Sequence, residues 1–410
     1  MRRTLFTLVL AGCFGEGPVP GAAPDAPIVF AAPIPSGDQI CTNSTYITAV
    51  AFGSATGYAV LYPYGPETGE CNESITAPVP VMAFPIDGSM PAGQQVGSAG
   101  MSSQQLPPPH ITLGANGPLW VFDQPGQPAI TSVAEPGSTP GVITNGSGGQ
   151  SLGYLIGVAG DTVATSGGLQ ASDPMDPNYP CCTDNGGGQV PAGQLTQFSI
   201  SGSQVTAGTP QQVPSIAIGE LASSIAASST TLFYVLPQQP TFAIEAVTGS
   251  ATTIVATLDV DQPVPVGLVA DDAHLAWAFA QDAQQTPLQP GCSIWVTGSG
   301  SGSDGTIEKI FSSSNISCMG LAIDPDALYF AIVDERELNG TPYLHGLGVG
   351  RVDFAMHDFS SIAFDIGPAA SGPRRVMTAQ SDPADLFVLD PLAIARIAKT
   401  SFGGRQDIAP

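Results

Sequence analysis

A short strand–turn–strand pattern recurs along the chain, and it constrains the fold more than any other feature. The clearest copies are GLVADDAHLAWAFAQ at residues 267–281 and GLAIDPDALYFAIVD at residues 320–334. Both begin with Gly-Leu, carry an Asp in a predicted turn and continue into a strand with aromatic residues. Copies that share less of the pattern begin at Ile47, Ile111, Leu155, Ser224 and Ala379.

Further strand pairs follow several of these copies. Residues 244–259, 294–311 and 350–365 each place a polar turn between two β-like runs. Two hairpins in series predict a four-stranded antiparallel unit. Recurrence at intervals of roughly 43 to 70 residues is typical of propeller blades joined by loops of variable length.

This pattern resembles the secreted β-propellers of bacteria, of the broad NHL, YVTN and TolB-like kind, over residues 40–405. The resemblance implies an all-β fold, a single β-propeller of six or seven four-stranded antiparallel blades. Its repeats are degenerate, because the chain has no WD dipeptide and no kelch double glycine. A string of β-sandwich domains, as in a surface adhesin, is the alternative architecture.

The first thirteen residues, MRRTLFTLVLAGC, resemble a bacterial lipoprotein signal. Arg2 and Arg3 precede a short apolar run that is far below the roughly 20 residues needed to span a bilayer. Leu-Ala-Gly-Cys resembles a lipobox, which implies lipidation of Cys13. Phe14 follows in place of the Asp that retains such proteins in the inner membrane, so an outer-membrane anchor in a Gram-negative cell envelope is expected. An ordinary cleaved secretory signal is the alternative.

These features divide the chain into four parts. Residues 1–12 are a predicted signal peptide, and the Pro-, Gly- and Ala-rich residues 13–39 are a flexible tether. The tether's r.m.s. reach is on the order of 30 Å. The propeller is expected at 40–405, with a C-terminal tail at 406–410.

Acidic residues dominate the charge. The chain has 34 Asp and Glu against 10 Lys and Arg, for a net charge of −24. Such a surface repels phosphate backbones and anionic headgroups, so we expect no nucleic-acid partner and a membrane contact through lipid alone. We expect a monomer.

Seven cysteines are an odd number for an exported protein. Lipidation of Cys13 leaves six, which predicts structural disulfides, although six cysteines allow 15 connectivities. Local spacing favours Cys41–Cys71 and Cys292–Cys318, which leaves the adjacent Cys181 and Cys182. A metal site is the alternative, but no CxxC pair or nearby His supports it.

Paired acids recur in the predicted turns. Because an Asp in a turn accepts hydrogen bonds from the backbone that follows it, a structural role is favoured over cation binding or acid–base chemistry. The acids concerned are Asp271, Asp272, Asp324, Asp326, Asp382 and Asp385.

The segment DPMDPNYPCCTDNGGG at residues 173–188 is the strongest candidate for a ligand-contacting loop. Its oxygen donors suit calcium, although their spacing differs from that of the twelve-residue calcium loop. We expect no cofactor, and calcium at this loop is the alternative. The donors are Asp173, Asp176, Asn178 and Asp184.

No catalytic constellation is evident. His110, His274, His345 and His357 are not spaced as metal ligands. Histidines from different blades could still meet on the propeller axis. The strand aromatics are expected to pack between blades, while an exposed one could stack on a sugar. They are Trp120, Tyr234, Trp277, Trp295, Tyr329 and Phe330.

The sequence therefore predicts a lipid-anchored envelope propeller that binds a protein or a glycan. An envelope hydrolase or lyase with a metal on the propeller axis is the first alternative. A β-sandwich surface adhesin is the second.

Overall fold

A computed structural model describes the strands and short turns of the chain. The described residues are 45–53, 55–63, 79–87, 89, 93–99, 111–113, 119–123, 129–133, 141–143, 154–159, 162–166, 193–201, 204–209, 211–213, 225–238, 241–249, 251–258, 265, 267–280, 291–299, 305–338, 341–368, 376–379, 382–390, 393–399 and 403–409. The predicted signal peptide, Cys13 and the predicted tether lie outside them.

Twenty-nine strands are described, and they form seven antiparallel sheets. Sheet 1 contains β1 (Thr45–Phe52), β2 (Thr56–Pro63), β3 (Val79–Pro85) and β4 (Gln94–Ala99). Sheet 2 contains β5 (Ile111–Leu113), β6 (Leu119–Asp123), β7 (Ala129–Val133) and β8 (Gly141–Ile143). Sheet 3 contains β9 (Tyr154–Ala159), β10 (Thr162–Ser166), β11 (Gly193–Ser201), β12 (Gln204–Ala207) and β13 (Gln211–Val213), with β12 and β13 both paired to β11.

The remaining sheets have four strands each. Sheet 4 contains β14 (Ile225–Ala227), β15 (Leu232–Gln238), β16 (Thr241–Thr248) and β17 (Ala251–Leu258). Sheet 5 contains β18 (Gly267–Ala270), β19 (His274–Ala280), β20 (Cys292–Gly298) and β21 (Glu308–Ser313). Sheet 6 contains β22 (Ser317–Ile323), β23 (Ala327–Leu338), β24 (Thr341–Asp353) and β25 (Phe359–Pro368). Sheet 7 contains β26 (Val376–Ala379), β27 (Asp382–Asp390), β28 (Ala393–Ala398) and β29 (Gly403–Ala409).

The sheets are arranged as propeller blades. Each one is built from consecutive strands in chain order, and the first strands of neighbouring sheets contact one another from sheet 1 through to sheet 7. The first strands therefore surround a common axis. This confirms the all-β propeller with antiparallel blades, and the string of β-sandwiches is wrong.

Both faces of each central sheet are buried, which explains the nearly continuous apolar strands. In β23, Leu328, Phe330 and Ile332 pack toward sheet 5. The alternating residues, among them Tyr329 and Val333, pack toward sheet 7. Each fully buried side chain of this size contributes about 1.5–3 kcal/mol.

Side-chain packing closes the ring between sheets 7 and 1. Phe387 is fully buried and lies against Phe52, with ring centroids 4.3 Å apart. Phe84, Ile86 and Leu389 belong to the same cluster. Among the described strands, β1 pairs with β2 and β29 pairs with β28, so no strand is shared across this seam.

The C-terminal boundary requires a correction. β29 continues to Ala409, which pairs with Ile394 of β28. The predicted tail at 406–410 is therefore part of the last blade as far as Ala409. The sequence GGRQDIA has no regular alternation of polar and apolar residues, so its strand depends on the β28 edge that it pairs with.

Among the described residues, no helix has the length and the apolar character needed to cross a bilayer.

Candidate functional site

The two ends of the propeller differ in the length of their connections. We call one end the short-turn end. There the first strand of each sheet is joined to the second and the third to the fourth, and no connection between described strands exceeds nine residues. At the opposite end, the long-connection end, are the strand ends that all the connections of ten residues or more join. These are residues 64–78, 100–110, 144–153, 167–192, 214–224 and 281–291.

The described disulfide lies at the long-connection end. Cys292 begins β20 and Cys318 is the second residue of β22, and their bond joins sheet 5 to sheet 6. The Gly291 N–H donates to Ser317 Oγ beside it, at 3.4 Å. The predicted Cys292–Cys318 pairing is confirmed.

The other cysteines belong to segments that meet this same end. Cys71 falls between β2 and β3, Cys181 and Cys182 fall between β10 and β11, and Cys41 precedes the start of β1. All four lie outside the described residues, so the Cys41–Cys71 pairing stays a prediction.

The predicted ligand-contacting loop is also attached at this end. It belongs to the 167–192 connection between β10 and β11. Its donors lie outside the described residues, so a calcium site stays a prediction. They are Asp173, Asp176, Asn178 and Asp184.

Sheet 6 carries an extended hairpin at the long-connection end. The first strand, β22, pairs with β23 only as far as Val333, while the β23–β24 ladder continues to Leu338 and Thr341. Five further residues correspond to about 16 Å of strand. Asn339-Gly340 separates the two strands, and this dipeptide is favoured in two-residue hairpin turns. His345 lies opposite Asp334 in this ladder.

The turn acids at the opposite end hold their own backbone. Asp271 Oδ1 accepts the N–H groups of Ala273 and His274 at 2.8 and 2.6 Å. Asp324 Oδ1 accepts those of Asp326 and Ala327 at 3.0 and 2.9 Å. The structural role predicted for these two acids is confirmed.

Asp385 is different from the turn acids. It lies within β27, and its Oδ2 contacts Arg396 Nη2 at 2.5 Å. Asp382 begins the same strand. The prediction that a turn explains Asp385 is wrong, because the β27–β28 pairing places a cation beside it.

Polar contacts also join neighbouring blades at the short-turn end. The Ser229 N–H of sheet 4 donates to Asp272 Oδ1 of sheet 5 at 2.8 Å. His274 stacks on Phe354 of sheet 6, with ring centroids 4.2 Å apart. His357 Nδ1 lies 3.6 Å from Glu308 Oε1, again between sheets 6 and 5. Several described residues of this end thus hold neighbouring blades together.

A salt bridge joins sheet 7 to sheet 6 at the same end. Lys399 Nζ lies 2.9 Å from Asp324 Oδ2, which also accepts the Tyr329 hydroxyl at 3.0 Å. Burial alone would raise the pKa of Asp324, but the hydrogen bond and charge of Lys399 and the Asp326 N–H outweigh it and lower the pKa. Burial and the Asp324 carboxylate raise the pKa of Tyr329.

A pH dependence of stability follows from this pair. A lowered pKa in the folded state stabilises the protein above the ordinary value of 3.8, and the contribution is lost as the pH falls through the folded-state pKa. Asp324→Asn should lower the free energy of unfolding by about 1.5–3 kcal/mol at pH 7, since it removes a charged hydrogen-bond partner. The difference from the parent should shrink below about pH 4.

Urea unfolding at a series of pH values measures this effect. Asp358→Asn is the matched control, because Asp358 lies at the same end and is exposed. A constant difference between Asp324→Asn and the parent from pH 7 to pH 3 would contradict the assignment.

The predicted aromatics that are described pack between sheets. Tyr234, Trp277, Tyr329 and Phe330 are buried, while Trp295 is partly buried beneath Lys309, whose Nζ lies 4.9 Å from its ring centroid. The Tyr234 hydroxyl donates to Glu245 Oε2. The packing role is confirmed for these residues, and the side chain of Trp120 lies outside the described residues.

The described first strands bring apolar, small and hydroxyl residues to the axis, with no His, Asp or Glu among them. Groups of three or more His, Cys, Asp or Glu that could hold a metal were sought in the described part of the chain, and none was found.

Positive charge is unevenly distributed among the blades, a feature that the net charge of the chain does not reveal. Apart from Arg2 and Arg3, every Lys and Arg lies between Lys309 and Arg405. Residues 13–308 therefore carry acidic residues without a single Lys or Arg. The strands of sheets 1 to 4 all fall within this range. A field of this sign attracts cationic groups and repels polyanions.

No family model matches the chain, and no curated protein matches it. Among solved structures, it is similar to the uncomplexed acylaminoacyl peptidase of Pyrococcus horikoshii, at 10% identity and a TM-score of 0.50 over 91% of this chain and 54% of that one. The β-propeller domain of the Trilobed protease from Pyrococcus furiosus matches at 8% identity and a TM-score of 0.46, over 90% of this chain and 98% of that domain. The Neurospora crassa Pan2 WD40 domain matches at 11% identity and a TM-score of 0.42, over 73% and 78%.

The chain spans about half the length of the peptidase that it matches. Identities this low show the fold alone. The chain is a β-propeller protein.

Proposed function

We propose that this protein is a lipid-anchored propeller of the cell envelope that binds a protein or a glycan through its long-connection end. One observation carries the proposal: every connection of ten residues or more between described strands joins strand ends at that end. Binding residues are found disproportionately on loops that a rigid scaffold positions.

Two further features support binding at the same end. The Cys292–Cys318 disulfide braces it, and the extended hairpin of sheet 6 projects from it. At the short-turn end, by contrast, several described polar side chains contact neighbouring blades, as Lys399 does with Asp324. Residues that are already engaged in contacts between blades are less suited to reversible binding of a partner.

The anchor rests on the N-terminal segment and on the disulfide. Disulfides persist in oxidising compartments such as the periplasm and the cell surface, so Cys292–Cys318 supports export. Lipidation of Cys13 would provide the anchor, and the Gram-negative outer membrane is the membrane that we propose for it. Mass spectrometry of the native protein should find acyl chains on Cys13. An unmodified Cys13, or a mature chain that begins elsewhere, would contradict the anchor.

The negative charge of the propeller limits the kinds of partner that can bind. Because residues 13–308 lack Lys and Arg, a polyanionic glycan would be repelled by most of the ring. A neutral glycan or a protein surface with exposed Lys and Arg fits better, and binding of the latter should weaken as salt screens the charges.

Site-specific photo-crosslinking in the native envelope tests the proposal. A photoreactive amino acid at Tyr343, in the extended hairpin, or at Tyr179, in the 167–192 connection, should yield adducts of higher mass. The matched control is Met356, which is 60% exposed at the short-turn end and should yield none. Adducts from Met356 alone, or none from any position, would overturn the choice of face.

A further inference from the structure

Buried polar atoms without a hydrogen-bond partner are concentrated in sheet 5. Within the described residues, six such atoms belong to sheet 5 or to its β18–β19 turn. Asp271 Oδ2 lies in that turn and His274 Nδ1 at the start of β19. The four further atoms lie on the body of β19, on β20 and directly after its end: Trp277 Nε1, Trp295 Nε1, Thr297 Oγ1 and Ser299 Oγ. Trp277, Thr297 and Ser299 are only 1%, 4% and 7% exposed. Folded proteins leave few such groups unpaired, so a set of four in one sheet calls for an explanation.

The four side chains lie on the same face of the sheet. Trp277 and Trp295 are directly opposite each other in the β19–β20 ladder, and Leu275 is opposite Thr297. That ladder has no register shift, and side chains alternate along a strand, so Trp295, Thr297 and Ser299 follow one another on one face. Trp277 and Trp295 pack in the cluster that sheet 5 shares with sheet 4, which identifies the face.

The facing side of sheet 4 is apolar in its middle and polar toward the short-turn end. Phe233 and Ala246 pack against the tryptophans. One step nearer the turns, Thr231 Oγ1 and Thr248 Oγ1 are 2.9 Å apart and hydrogen-bonded to each other. Polar atoms therefore continue from mid-blade to the short-turn end, where Ser229 and Asp272 join the two sheets.

We propose that ordered water molecules occupy the interface between sheets 4 and 5 and bridge Trp277, Trp295, Thr297 and Ser299. Indole N–H groups only donate, whereas hydroxyls both donate and accept, so the occupant must do both. The set contains no carboxylate and no ammonium, which favours a neutral occupant over an ion. Internal waters typically make about three hydrogen bonds to buried polar groups that would otherwise be unsatisfied.

The alternative is that the four groups are simply unsatisfied. Each group would then contribute its full desolvation penalty. Four such penalties would be a large fraction of the net free energy of folding, which is small in most proteins. The inference is independent of the binding function proposed above, because it concerns only the interior of one blade interface.

Thr297→Val distinguishes a water-bridged hydroxyl from an unsatisfied one, because its effect on stability has a different sign in each case. Valine has nearly the shape of threonine but no hydroxyl. If water bridges the hydroxyl, the substitution should lower the folding equilibrium constant of the full chain about five- to tenfold. If the hydroxyl is unpaired, its removal should leave that constant unchanged or raise it, which would overturn the proposal.

Ser299→Ala should behave like Thr297→Val, and it is mild enough to leave the fold intact. Thr253→Val is the matched control, because Thr253 is an exposed strand hydroxyl of sheet 4 and should show no change. A high-resolution crystal structure of the full chain should show water within hydrogen-bond distance of Thr297 Oγ1 and Trp277 Nε1. Direct protein partners for these atoms, or density for a molecule other than water, would overturn the proposal.

Discussion

Replacing both Cys292 and Cys318 with alanine is expected to lower the free energy of unfolding by about 3–4 kcal/mol. The bond closes a loop of 26 residues, and opening it returns conformational freedom to the unfolded chain. Both cysteines are buried, so the loss of packing adds to the effect. Urea unfolding followed by tryptophan fluorescence measures it.

The location of the bond makes a second readout possible. Because it joins sheet 5 to sheet 6, amide hydrogen exchange should rise in β20 and β22 of the variant and change little in β27. Ser293→Ala, next to Cys292 in the same strand, is the matched control. An unchanged unfolding midpoint in the double variant would mean that packing alone holds sheets 5 and 6 together.

Phe387→Ala is expected to destabilise the protein by about 3–5 kcal/mol, the range for truncation of a buried phenylalanine. Its ring is fully buried against Phe52 at the seam between sheets 7 and 1. No strand crosses that seam among those described, so side-chain packing there has no ladder of backbone hydrogen bonds to support it.

Phe387→Leu is the control for Phe387→Ala, since it keeps most of the volume and should cost less than about 1.5 kcal/mol. In Phe387→Ala, amide exchange should rise first in β1 and β27, the strands on either side of the seam. A uniform rise over all sheets would contradict a local opening and indicate that the ring unfolds only as a whole.

The local parts of this fold were predictable from sequence. The repeats beginning at Gly267 and Gly320 are β18–β19 and β22–β23, with Asp271 and Asp324 in the turns as expected. Cys292 and Cys318 pair as their spacing indicated. These features depend on strand alternation, turn chemistry and short sequence separation, which a single sequence displays.

Contacts between blades were not predictable. Lys399 meets Asp324 across 75 positions of sequence, and His274 meets Phe354 across 80. Such pairs depend on how one blade is rotated against the next, and no local period records that rotation. The uneven placement of Lys and Arg was visible in the sequence, but its meaning depends on knowing which strands belong to which blade.

Each sheet is made only of strands that are consecutive in the chain, and this has a consequence for how such a ring could be rearranged. β1 begins and β29 ends at the long-connection end, on neighbouring blades. A circular permutation that joined these two ends and opened the 214–224 connection would leave every described ladder intact. Insertion or removal of a whole blade would likewise leave the ladders of the other blades intact, because no described ladder joins two sheets.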